Sequence, residues 1–164
     1  MKKNNGLAAF QARIEKELRE IKKTVDFAEE ALAELEQTRP KNVVVGGIAN
    51  YVHGFYSGLE RIFDLIAEYV DHFEPSSKAW HKELLNQMML EIQGIRPAVV
   101  TKELAAVLED YLEFRHFFRH SYGFDLDWDE LKPKAVNLKP TFEKLEIAFQ
   151  QFFAFLRAAS EQLE

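Results

Sequence analysis

The chain has 164 residues, a formal net charge of -6 and no cysteine. That length suits a single helical domain over 1–164, and a composition 47% apolar, with 14 Phe, excludes a disordered chain. Without cysteine there is no disulfide framework and no thiolate site, and net acidity argues against broad coating of nucleic acid, which needs an extended basic face.

Gly and Pro are scarce, at 7 and 5 residues, which favours long helices over a turn-rich sheet protein. The basic opening Met-Lys-Lys-Asn-Asn-Gly is followed by Glu15, Glu17 and Glu20 rather than by an unbroken apolar run. The expectation is neither a signal peptide nor a membrane span, and a cytoplasmic location.

The predicted fold is an all-α, up-and-down bundle of four to five main helices. The first runs from Leu7 to Gln37, where Leu7, Ile14, Ile21, Ala28 and Leu35 recur every seven residues and Leu18, Val25 and Leu32 fill the second apolar position. Such a stripe serves either one bundle's core or an intermolecular coiled coil. Thr38 to Lys41 interrupt it, and Asn42 suits the cap of a second helix from Val43 to Phe73. Gly46, Gly47, Ala49, Gly54, Ser57 and Gly58 within that helix read either as close approach of another backbone, such as a second subunit's, or as a weak or irregular first turn. Glu60-Arg61 in its apolar run is either a surface ion pair or support for a buried polar site.

Ser76 or Ser77 caps a third helix from Lys78 to Gln93, with Trp80, Leu84, Leu85, Met88 and Ile92 on its apolar face. Thr101 caps a fourth, whose Leu104, Val107, Leu108, Tyr111, Leu112, Phe114 and Phe118 make it strongly amphipathic. Asp127 caps a short helix with Trp128 and Leu131, and Pro140 suits the first turn of a last helix reaching Leu163. Asp125, Asp127 and Asp129 have the spacing of a calcium loop but lack its glycine at position six and its glutamate at twelve, so that reading is rejected.

The fourth helix ends in Arg115-His116-Phe117-Phe118-Arg119-His120-Ser121-Tyr122-Gly123, a cationic exception in an acidic chain. Arg115 and His120, five residues apart, stand about 140 degrees apart on an ideal helix. They converge if Gly123 ends the helix in a left-handed cap that re-aims His120, or if two copies face each other across a two-fold axis. Imidazole and guanidinium together suit metal-free cleavage of RNA. One His takes the proton of a ribose 2′-hydroxyl, a second from the other subunit protonates the leaving 5′ oxygen, and Arg holds the phosphate. Tyr122 can stack on a base. The same residues also read as half a metal site, His116 and His120 with Asp125 or Asp127, or as cations favouring a helix dipole. His53, His72 and His81 have no obvious partner in sequence and read as ordinary surface or half-buried histidines.

Arg115-x4-His120-x-Tyr122 matches the Arg-x4-His-x-Tyr motif of HEPN-domain toxins, and the chain resembles the HepT group of that family. Gly58-Leu59-Glu60-Arg61-Ile62 is similar to a segment of that group's second helix. The resemblance implies a metal-independent, cofactor-free endoribonuclease toxin of a toxin–antitoxin pair. It would be a homodimer with Arg115 and His120 of both subunits in one cleft, and with His116 and Arg119 as auxiliary RNA contacts. It further implies an antitoxin partner of the minimal nucleotidyltransferase (MNT) type, which transfers AMP to Tyr122 and so blocks the cleft. The alternative reading is a non-catalytic helical adaptor, or nucleotide-binding partner, of such a nucleotidyltransferase.

Overall fold

The computed structural model describes residues 2–35 and 39–161. The order is α1 (Lys2–Ala33), α2 (Asn42–Ile66) continued by a π-helical turn (Ala67–Asp71), α3 (Trp80–Met89), α4 (Lys102–His120), a 3-10 turn (Gly123–Asp125), α5 (Trp128–Val136) and α6 (Leu138–Glu161). The described residues contain no β-strand beyond an isolated bridge between Ile92 and Arg96. The fold is thus an all-α bundle, and none of the described helices is long and apolar enough to cross a membrane.

The heptad stripe of α1 turns inward. Phe10, Ile14, Ile21, Val25 and Ala28 are all buried, chiefly against α2, so the stripe serves this bundle rather than a separate coiled coil. The helix starts at Lys2, before the expected Leu7, and ends at Ala33, short of the expected Gln37, which with the Thr38 break lies outside the described residues. So does Leu163, the expected end of the last helix.

Glycine sets how closely α1 and α2 approach. A Cβ on Gly58 would stand 2.7 Å from Cγ1 of the buried Ile21, whereas one on Gly46 or Gly47 would meet nothing within 4 Å. At Gly58 the close neighbour is therefore a side chain of α1 in the same chain.

Three further boundaries differ from expectation. Lys41, not Asn42, is the N-cap residue of α2, and its carbonyl accepts from the N–H groups of Val44 and Val45. Helix α2 loses α-geometry at Ile66, because the next turn widens to a π-helix and ends on His72 in the left-handed region at φ 51°. Helix α3 spans less than predicted: Ser77 Oγ accepts from the N–H of Ala79 in the lead-in turn, and Leu90 is already extended. The caps at Thr101 and Asp127 form as expected, accepting from the N–H groups of Leu104 and Asp129.

The π-helical turn positions an ion pair. Asp71 receives Arg96 Nε at 2.6 Å and Nη2 at 2.5 Å, and Arg96 also donates to the carbonyls of Gln87, Leu90 and Pro97. The two side chains are 1% and 0% exposed, and the guanidinium's donors are taken up by Asp71 and by carbonyls of α3 and the connection after it. The pair ties the end of α2 to the α3–α4 connection and thereby sets α3 against α4.

Two stability measurements test these contacts. Arg96→Met should lower the urea-unfolding free energy by about 3–5 kcal/mol, because it strands a buried carboxylate. Gly58→Ala should destabilise despite a helix-propensity gain of up to about 1 kcal/mol. Gly47→Ala, in open space, should keep that gain.

Candidate functional site

Arg115 falls on the buried stripe of α4. Leu104, Leu108, Tyr111 and Leu112 precede it by eleven, seven, four and three residues, and all are buried. The same phase places Glu60 among Tyr56, Leu59 and Phe63 on α2. Each would be a buried charge without a partner, and they meet. Arg115 Nη2 lies 3.2 Å from Glu60 Oε1, and Arg115 Nε donates to Ser57 Oγ at 3.3 Å. Arg61 by contrast is exposed and pairs with Glu17 on α1 at 3.0 Å. The dipeptide thus divides, with Glu60 belonging to the buried polar site and Arg61 to the surface.

Sequence reasoning missed the third member. His81, one residue into α3, places Nδ1 2.6 Å from Glu60 Oε2. The carboxylate therefore carries Arg115 on one oxygen and His81 on the other. A signal was present: His81 precedes Leu84, Leu85 and Met88 by three, four and seven residues, the buried phase of α3. Its ring and Arg115 line one groove of about 480 Å³ between the start of α3 and α4.

His116 and His120 are exposed on α4, their rings meeting edge to face with centroids 5.0 Å apart. His116 also lines the groove, so it stands between the Arg115 cluster and His120. Among the described residues, no group of three His, Cys, Asp or Glu could hold a metal ion. Arg119 is exposed.

The expected left-handed cap is not formed. Helix α4 ends at His120, Ser121 is extended at φ -106° and ψ 156°, and Gly123 opens the 3-10 turn without a positive φ. Local hydrogen bonds explain why. Ser121 Oγ donates to the Phe117 carbonyl, the Tyr122 N–H donates to Asp125 Oδ2, and the Asp125 N–H donates to the Tyr122 carbonyl. The helix end is satisfied without glycine's special conformation. His120 consequently keeps its helical direction, and this protomer alone does not turn it toward Arg115. Tyr122 is 72% exposed and its ring stacks parallel on that of Phe124, centroids 5.3 Å apart.

Two aromatic neighbours complete the surroundings. Tyr56 is fully buried, its hydroxyl lacks a partner, and burial followed by the nearby Glu60 charge pushes its pKa well up. His53 packs its ring on Phe118 at 4.8 Å, with Nε2 buried and unpartnered. Burial, then the Arg115 and Arg119 charges, pushes the His53 imidazole below its ordinary 6.5.

A family model described as HepT-like protein matches residues 47–156. The chain belongs to the HepT-like family. The match takes in the whole Glu60–His81–Arg115 cluster and the α4 end through Tyr122. No curated protein and no solved structure matches the chain closely enough to add to this. The HepT-like assignment carries a HEPN toxin-type character.

The His53 shift has a definite sign. A histidine held neutral by the fold contributes stability that is complete above about pH 6.5 and is lost as pH falls through its depressed folded value. His53→Phe should therefore flatten the loss of urea-unfolding free energy seen on acidifying below pH 7, and should stabilise the fold slightly by removing an unpartnered buried nitrogen.

Proposed function

We propose that this HepT-like protein is a metal-independent endoribonuclease toxin of a toxin–antitoxin system. It works as a homodimer in the cytoplasm, and each chain contributes one helical domain. The observation that carries the reading is the end of α4. Arg115 is held at a groove wall by Glu60 and Ser57, while His120 stands exposed on the other side of the same helix. A partner copy across a two-fold axis supplies the arginine–histidine convergence that one protomer lacks. Phe117 and Phe124, 45% and 78% exposed, offer apolar surface for such a partner.

In this mechanism His120 takes the proton of a ribose 2′-hydroxyl, whose oxygen attacks the adjacent phosphorus. The Arg115 guanidinium, with Nε and Nη2 already committed, offers its remaining Nη1 edge to the phosphate and balances the charge that builds there. A second imidazole protonates the departing 5′ oxygen. His116 and Arg119, exposed beside the site, are auxiliary RNA contacts. The RNA's own hydroxyl is the nucleophile, so no cofactor is required.

Tyr122 is the control point. Its exposed ring is open to an MNT-type nucleotidyltransferase, and added AMP places negative charge and bulk two residues from His120, repelling RNA.

Unmodified protein should cut RNA in the presence of a chelator. His120→Ala, at an exposed position, should keep its melting temperature and lose about 10²–10⁴-fold in rate. Full cleavage by that variant would contradict the mechanism. Tyr122→Phe should cut RNA yet resist silencing by the nucleotidyltransferase and ATP. A wild-type protein that accepts AMP on Tyr122 but leaves RNA intact would instead be an adaptor for the transferase.

A further inference from the structure

The second imidazole has a candidate within the same protomer. Glu60 is 6% exposed and shares its two oxygens between Arg115 and His81. A pin between helices would need only the His81 Nδ1 bond. His81 does more, because its side chain is 21% exposed and its ring lines the groove that Arg115 also lines. With Nδ1 occupied by Glu60, Nε2 is the nitrogen left for a ligand. The Trp80 ring lies 3.5 Å away, centroid to centroid, and limits ring rotation.

Among the groove's other groups, Lys78 and Lys82 add positive charge, although Lys82 pairs with Glu109, and Glu113 is the acid on the rim. The groove's walls are largely apolar, through Ala79, Leu112 and Phe117, with the Arg115 guanidinium and the His81 imidazole set among them, and those two groups rather than an excess of positive charge are what a phosphodiester would meet. His116 also lines it, but among the described residues its ring is fixed by no hydrogen bond and meets the His120 ring edge to face. An imidazole anchored at one nitrogen by a buried carboxylate is already oriented for transfer at the other.

We propose that His81, oriented by Glu60 beside Arg115, is the general acid of RNA cleavage. The inference rests on the ribonuclease reading and names its second imidazole. His120 removes the 2′-hydroxyl proton as the bond from that oxygen to phosphorus forms. The bond from phosphorus to the 5′ oxygen breaks, leaving its electron pair on oxygen, and the His81 Nε2 proton passes to that oxygen. The products are a 2′,3′-cyclic phosphate and a 5′-hydroxyl, and exchange with water returns both imidazoles to their starting forms. Glu60 is a positioning residue in this step.

The test uses the full-length protein and an RNA oligonucleotide containing a bond that the wild type cuts in total RNA. A second oligonucleotide carries sulfur in place of the 5′ oxygen at that bond, because sulfur departs without needing a proton. His81→Ala should be slower by about 10²–10³-fold on the oxygen substrate and close to wild type on the sulfur substrate. His81→Asn, which can still donate to Glu60 but cannot transfer a proton, should melt like the wild type and show the same split. His120→Ala should be slow on both. If His81→Ala cuts the oxygen substrate at the wild-type rate, or is equally slow on both, the acid role is wrong while the ribonuclease reading stands. A wild-type protein that cuts no RNA overturns both.

Discussion

A single buried carboxylate joins α2, α3 and α4 of this bundle. Glu60 sits where α2 should present an apolar side chain, and it is tolerated there because Arg115 of α4 and His81 of α3 approach its two oxygens. Removing any one of the three would leave a polar group desolvated and unmatched, and that asymmetry makes such clusters sensitive to position. The cluster therefore ties three helices to one geometry and at the same time presents a guanidinium and an imidazole along one groove.

The rest of the bundle makes that meeting possible. Gly58, two residues before Glu60, lets α1 seat against α2 with Ile21 in the space a Cβ would fill. Farther along, the π-helical turn brings Asp71 to Arg96, and Arg96 in turn binds carbonyls on either side of the α3–α4 connection. One contact sets the depth of α2 and the other sets the approach of α3 to α4. Between them they leave the start of α3 beside the last turns of α4, where His81 meets Glu60 and shares the groove with Arg115. The end of α4 is built differently. It is stopped by short-range hydrogen bonds around Ser121, Tyr122 and Asp125, which leave Tyr122 and Phe124 projecting as an exposed stacked pair. A buried polar cluster and an exposed tyrosine thus stand near the same end of one helix.

Much of this was legible in the chain itself. Apolar residues spaced by threes and fours, with few Gly and Pro, determined an all-α bundle, and Thr101 and Asp127 marked helix starts, because periodicity and capping depend on neighbours within a few residues. The motif from Arg115 to Tyr122 and its place at the end of a helix were also local facts. What the tertiary structure decided involved residues far apart in sequence. The phases of Glu60, His81 and Arg115 each announced a polar group on a buried stripe, but no local rule pairs residues separated by 21 or 55 positions, and only the packing of α2, α3 and α4 joined them. The same holds for Asp71 with Arg96, and for the contact that requires Gly58. Gly123 shows the opposite limit: its residue type permitted a left-handed cap, but hydrogen bonds from Tyr122 and Asp125 closed another turn, since glycine allows a conformation without requiring it.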